Sequence, residues 1–159
     1  MILKTSPKLV ESEIKKYFDI AQNSERRRSP KILHKKGDFL NKVFNFMLSD
    51  SYMQPHLHPS EEKIENMYLL HGSFALIIFD DSGEITKSVV LAKEKKEFIA
   101  VPAFTWHTYI MLTDEVIVYE EMDGIYDPSS WKKMATWAPV EGSSQASLYL
   151  EKLKASLES

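Results

Sequence analysis

The sequence contains no cysteine. That excludes disulfides, a thiolate nucleophile and thiolate metal ligands, so any transition metal must be held by imidazole and carboxylate. Such ligands suit iron, manganese, nickel, copper or zinc. No segment approaches the roughly twenty apolar residues needed to span a bilayer. Lys4, Lys8 and Glu11 interrupt the weak apolar character of the N-terminus, so no cleavable signal is expected there and the expected location is cytoplasmic. The chain also lacks a block of one charge sign, and its net charge is only -3. Its one basic run, Arg26-Arg27-Arg28, reads as a solvated or locally paired helix end. Nucleic acid is not expected as a partner, because phosphate binding needs a concentrated basic surface. Neither a repeat nor a low-complexity linker is present. With 159 residues the chain fits one domain that can bury a proper core.

Taken in order, Ser6-Pro7 followed by Leu9, Val10, Ile14, Tyr17, Phe18 and Ala21 predicts an amphipathic helix, with Ser6 as cap and Pro7 in the first turn. Lys42–Leu48 reads as a strand through Val43-Phe44-Asn45-Phe46-Met47, with a helix as the alternative. From Tyr52 onwards short apolar runs alternate with turn signals. These runs are Asn66–Phe79, Glu84–Leu91, Phe98–Val101, His107–Leu112 and Glu115–Met122, with Asp80-Asp81-Ser82-Gly83 as a hairpin turn. Such spacing predicts an all-β domain, closed or sandwiched, with flanking helices. Tyr126-Asp127-Pro128 and Trp137-Ala138-Pro139 read as extended or turn segments. Leu150, Leu153 and Leu157 mark a terminal helix over Ser147–Leu157. The expected division of the single domain 1–159 is helix and lead-in strand (1–48), barrel core (49–123) and C-terminal extension (124–159).

Five histidines occur in all, and three of them lie in suggestive places. In an extended strand His56 and His58 project to the same face while Leu57 points away. Glu65, Met67, Leu69 and His71 share a face in the next run, which puts Glu65 at the end nearest the histidines. His107 enters its strand just after the turn from Pro102 to Trp106, on one face with Tyr109 and Met111. Three imidazoles and one carboxylate from three strands form a mixed nitrogen and oxygen site, leaving two positions of an octahedral metal open. Glu62 competes with Glu65 for the carboxylate place. His71, about three strand positions deeper, is expected beside the Gly72 turn rather than at the metal.

These residues resemble the motifs of the cupin superfamily, G-x5-H-x-H-x3,4-E-x6-G and P-x-G-x2-H. His56-Leu57-His58 is followed by Glu65 and, six residues on, by Gly72; the second motif reads Pro102-Ala103-Phe104-Thr105-Trp106-His107. The resemblance implies a double-stranded β-helix (jelly-roll-like) barrel and one divalent transition metal (Fe, Mn, Ni or Zn) on His56, His58, Glu65 and His107. It departs from the family in three places. The gap from His58 to Glu65 is longer than usual, the opening glycine of the first motif is missing, and Phe104 stands where the second motif has glycine. That turn must therefore differ locally or be reached with ordinary dihedrals.

A narrower pattern joins Arg28, His34, Asp38, Pro55 to Pro59, Phe79 to Gly83, Thr105 to Thr108, Tyr126-Asp127-Pro128 and Trp137-Ala138-Pro139. Together these are similar to the WbuC family of bacterial cupin-fold metalloproteins, some found with surface-polysaccharide biosynthesis genes. The resemblance implies that Arg28 and His34 fold over the barrel mouth and contact an anionic substrate, with arginine as a bidentate fork. Tyr52, Gln54, Tyr109 and Glu120 are further candidates to line the pocket, the last two as general acid or base. Two functions remain open. One is a metal-dependent isomerase, epimerase or dioxygenase acting on a small polar metabolite such as a sugar or sugar-nucleotide derivative; the other is a non-catalytic module that binds or senses such a ligand. A degenerate cupin used only for pairing is a third, opposed by the four intact ligands. The resemblance also implies a homodimer, to which the apolar faces of the two helices add a hint.

Overall fold

The computed structural model describes residues 6–158; the reading made at Lys4 lies outside them. Among these residues the chain runs α1 (Glu11–Gln22), β1 (Arg28–Ile32), β2 (Leu40–Leu48), β3 (His56–Leu57), β4 (Glu65–His71) and β5 (Ser73–Phe79). It continues through β6 (Ile85–Ala92), β7 (Phe98–Val101), β8 (Trp106–Met111), β9 (Glu115–Asp123) and β10 (Lys133–Met134) to α2 (Ala146–Ser156). The strands form two five-stranded sheets, ordered β1-β2-β9-β4-β7 and β10-β3-β8-β5-β6. Every recorded pairing is antiparallel.

The period-two alternation of the sequence sorts side chains into three apolar layers. Met47, Met67, Leu69, Phe74, Leu76, Tyr109, Val116 and Val118 meet in one core. On β2 and β9 the intervening residues, Phe44, Phe46, Leu48, Ile117 and Tyr119, face the other way and are covered by Phe18 and Ala21 of α1. Ala75, Ile77, Phe79 and Ile110 of the second sheet are covered by Ala146, Leu150 and Leu153 of α2. Both helices thus spend their apolar faces on the barrel. No helix among the described residues is long and apolar enough to cross a membrane.

Several expectations need correction. The first helix begins at Glu11, not at Ser6-Pro7. Val10 precedes it in extended conformation without a side-chain cap, and Glu11 and Glu13 sit in the first turn, where carboxylates favour the positive end of the helix dipole. The basic run is not a helix end. Arg27 bends the chain with φ 57° and pairs with Asp50, and Arg28 opens strand β1. The run Asn66–Phe79 is two strands broken at Gly72, whose φ is 76°. A Cβ there would strike the Glu115 carbonyl and the Thr113 hydroxyl, so glycine is required. Phe104 reaches its turn with φ 59°, not with ordinary dihedrals.

Candidate metal centre

His56 lies in β3, His58 just beyond it, Glu65 opens β4 and His107 lies in β8. One donor atom from each lies within 4.8 Å of the others, and all four residues are buried. Ligands about 2.1 Å from one ion lie about 3–4.2 Å apart, so small side-chain adjustments would close this set. His56 stands directly opposite His107 across the β3–β8 pair, while Glu65 comes from the facing sheet. Glu62 is exposed, and its carboxylate accepts from the Ser60 hydroxyl, so Glu65 is the carboxylate that reaches the histidines. His71 is exposed beyond a bulge at the end of β4, away from the cluster.

Each imidazole is oriented through Nδ1. The ring of His56 lies 2.9 Å from the Gln54 carbonyl, His58 3.0 Å from that of Trp131 and His107 2.7 Å from that of Thr105. A carbonyl only accepts, so Nδ1 carries the proton in each ring and Nε2 turns its lone pair inward. His107 Nε2 is 3.1 Å from Glu65 Oε2. His58 Nε2 lies 3.4 Å from the same oxygen without making a hydrogen bond, and it is buried with no partner. Acceptors turned toward acceptors in a buried space are unfavourable unless a cation lies between them. One proton would relieve one contact, whereas a metal ion would satisfy all four donors. The donor set fits a metal.

The protonation states agree. Burial holds the His56 imidazole well below its usual range, and the neighbouring His107 adds to this. Burial alone would raise Glu65, but the adjacent His107 and His58 imidazoles outweigh it and hold the carboxyl well below its ordinary value. Neutral imidazoles and an ionised carboxylate are what metal binding requires.

Beside the ligands is a cavity of about 210 Å³, whose walls include Arg28, Tyr109 and Glu120. The Tyr109 hydroxyl lies 3.1 Å from His107 Nε2. Glu120 accepts from Asn45 Nδ2 at 2.8 Å. Burial, followed by the charge of Glu65, pushes Glu120 well above the carboxylate range; burial, Glu65 and Glu120 together push Tyr109 well above the range of tyrosine. The buried Arg28 is engaged by Glu141 at 2.6 Å and by the Ser51 hydroxyl and Tyr52 carbonyl.

The remaining candidates stand apart from the cavity walls. His34 sits in the β1–β2 connection, with Nδ1 accepting from the Lys42 amide at 3.0 Å. The Tyr52 hydroxyl donates to the Pro139 carbonyl. Gln54 is buried, donates to the Ala135 carbonyl and lends its own carbonyl to His56. Sequence reasoning missed Asn45, Trp131, Lys132 and Glu141, none of which belongs to a motif. A wider groove of about 830 Å³ runs beside α1 on the outside of the barrel and includes none of the four ligands.

Residues 9–91, just over half of the chain, match the family described as Domain of unknown function (DUF6016). No protein of curated function matches in sequence. Among solved structures, CapF of Staphylococcus aureus, a capsular polysaccharide assembling protein, aligns with TM-score 0.57 at 16% identity over 67% of this chain and 31% of its own. Protein SO0799 of Shewanella oneidensis aligns at 0.54 and 14% identity, over 82% and 80%. Lactobacillus farciminis oxalate decarboxylase, solved as a formate complex, aligns at 0.53 and 12%, over 67% and 31%. The chain spans about a third of the CapF and oxalate decarboxylase chains. These likenesses show the fold, an all-β cupin barrel with flanking helices.

Proposed function

The chain belongs to the DUF6016 family, whose description assigns no chemistry, and from the geometry of its site we propose that it is a metal-dependent cupin enzyme acting on a small polar metabolite. The observation that carries this reading is the inward convergence of three Nε2 lone pairs and one ionised carboxylate, with His58 Nε2 buried and unpaired. His56, His58, Glu65 and His107 hold the ion; bound there, it would supply a Lewis acid or a redox centre.

Two features favour catalysis over simple ligand binding. Tyr109 and Glu120 bring proton-bearing groups to the cavity that contains the ligands, where a binding module would manage with inert walls. Asn45 holds the Glu120 carboxyl in place, so that it can give or take a proton at a substrate in the cavity. At about 210 Å³ the cavity is smaller than the roughly 300–1,000 Å³ of typical small-molecule pockets, which suits a small substrate portion. A sugar nucleotide would have to leave its nucleotide outside.

The narrower reading is a bacterial surface-polysaccharide role in the cytoplasm. It is supported by the WbuC-like pattern and, for the fold relative CapF, by its description as a capsular polysaccharide assembling protein. In that reading Arg28, held by Glu141, is a fixed basic wall of the cavity, while His34, Tyr52 and Gln54 stand apart from the walls and do not contact the substrate. The chain acts as one cupin domain. A homodimer would pair through an exposed strand edge such as β6, because both helices already cover barrel faces.

Metal analysis of protein purified without a metal-affinity resin tests the site. One transition metal per chain is expected in the wild type and in Glu62→Ala, with severe loss in His56→Ala and Glu65→Ala. Stoichiometric metal in a His56→Ala/Glu65→Ala double variant would sink the proposal.

A further inference from the structure

Between β9 and β10 the chain forms a strap that supplies Trp131 and Lys132 to the cavity wall, and several contacts fix it. Lys63, itself buried, donates from Nζ to the Ser130 carbonyl at 2.9 Å and lies 4.9 Å over the Trp131 ring. Tyr126 packs edge-on against Trp131 at 5.2 Å. Asp127 caps its own turn by accepting from Ser129. Beyond Lys132 the strap becomes β10 and pairs with β3, Met134 standing opposite His56. The Trp131 carbonyl on this strap is the group that orients His58.

Three basic residues line the cavity, Arg26, Arg28 and Lys132, but they are not equivalent. Arg26 and Arg28 share Glu141, and Arg28 is further committed to Ser51 and Tyr52. Lys132 has no ion pair or hydrogen bond among the described residues. The residue as a whole is exposed, yet burial of its ammonium lowers its pKa, and its charge is felt at His56 and Glu120. This places a basic side chain without an ion pair or hydrogen bond among the described residues on the wall of the cavity that holds the metal ligands. Holding the strap at both sides removes most of the entropy such a flexible side chain's backbone would otherwise lose on binding.

We propose that Lys132 binds the anionic end, carboxylate or phosphate, of a small substrate whose other end lies against His56, His58, Glu65 and His107. This assigns the substrate class of the site and rests on the metal-centre reading. Lys132 is the specificity residue, and Arg28 with Glu141 is the fixed wall behind it. Lys133, the next residue, lies 5.9 Å from the Trp106 ring, outside the cavity walls, and serves as an internal control.

Calorimetric titration of the full chain, with its metal content measured in each sample, tests this. The probes are malonate, inorganic phosphate and malonamide, the neutral diamide of malonate. Wild type is expected to bind malonate or phosphate and to ignore malonamide. Preference between the two anions identifies a carboxylic acid or a phosphate ester as the substrate type. Lys132→Met should weaken anion binding about tenfold or more, as expected for a charge-assisted hydrogen bond, while its metal content stays at the wild-type level. Lys132→Arg should stay within a few-fold of wild type, and Lys133→Met should match it. Malonamide binding as tightly as malonate, or Lys132→Met binding malonate like wild type, overturns the proposal. So does loss of metal together with the anion in Lys132→Met, which would mean that the residue only holds the strap against His58. Wild type without metal would instead fail the metal-centre reading, a result read from the metal content alone.

Discussion

Phe104 shows how one residue can occupy a glycine's place. Its φ of 59° puts it in the left-handed region, the residue is 58% exposed, and its amide donates to the His58 carbonyl at 3.0 Å. The turn therefore ties the second histidine segment to the first. A side chain in that region costs about 1–2 kcal/mol, whereas glycine's greater freedom in the unfolded chain costs roughly 0.5–1 kcal/mol. Phe104→Gly should accordingly stabilise the protein by about 0.5 kcal/mol with metal affinity unchanged, measured by urea unfolding and metal titration. A loss of stability would show that the exposed ring contributes more packing than its surroundings suggest. Gly72 is the opposite case, since a Cβ there meets backbone and no other residue is tolerated. Residue type in the sequence reveals which position has kept its glycine, but not that Phe104 has kept the dihedral.

Elements were legible where a period repeats and obscure where partners lie far apart in the chain. Strands β2 and β4 to β9, α2 and the Asp80–Gly83 hairpin follow from alternation and turn chemistry. The ligand strands β4 and β8 were found because two or more face-sharing residues announced each of them. β1 was not, because Arg28-Ser29-Pro30-Lys31-Ile32 has a proline and little alternation, which only an edge strand accepts. The two-residue strands β3 and β10 are too short to carry a period. The Arg28–Glu141 pair joins β1 to the loop before α2 across 113 residues of sequence, so neither charge signals the other. Burial would raise Glu141, but Arg28 and Arg26 outweigh it and hold its folded pKa below the ordinary value. Its contribution is therefore present above the unfolded pKa of about 4.3 and is lost as pH falls through the lower folded value. Glu141→Gln should lower stability at pH 7 by about 3 kcal/mol, because it leaves a buried guanidinium unpaired. It should also flatten the acid limb of stability below about pH 4.5, read from thermal midpoints across pH. An acid limb identical to wild type would mean that other carboxylates set it.

At the scale of the whole molecule, the barrel interior has an apolar end and a polar end, and the polar end joins the two sheets. His56 and His107 belong to the β10-β3-β8-β5-β6 sheet, and Glu65 belongs to the other. An ion held by all of them clamps sheet to sheet where the apolar core of Met47, Leu69 and Phe74 does not reach. Because the unfolded chain cannot assemble this ligand set, the binding energy appears as folding stability. At a free metal concentration a hundred times Kd the stabilisation is about 2.7 kcal/mol. For a chain of this size that corresponds to a melting-point difference of about 5–10 °C between metal-loaded and chelator-treated protein. The difference should shrink as pH falls, since protons compete for the three Nε2 atoms. In His56→Ala it should vanish, with the variant melting near the chelator-treated wild type. If chelation instead leaves the wild-type melting point unmoved while bound metal is removed, the sheets are held by the core alone, and the four donors serve chemistry without serving the fold.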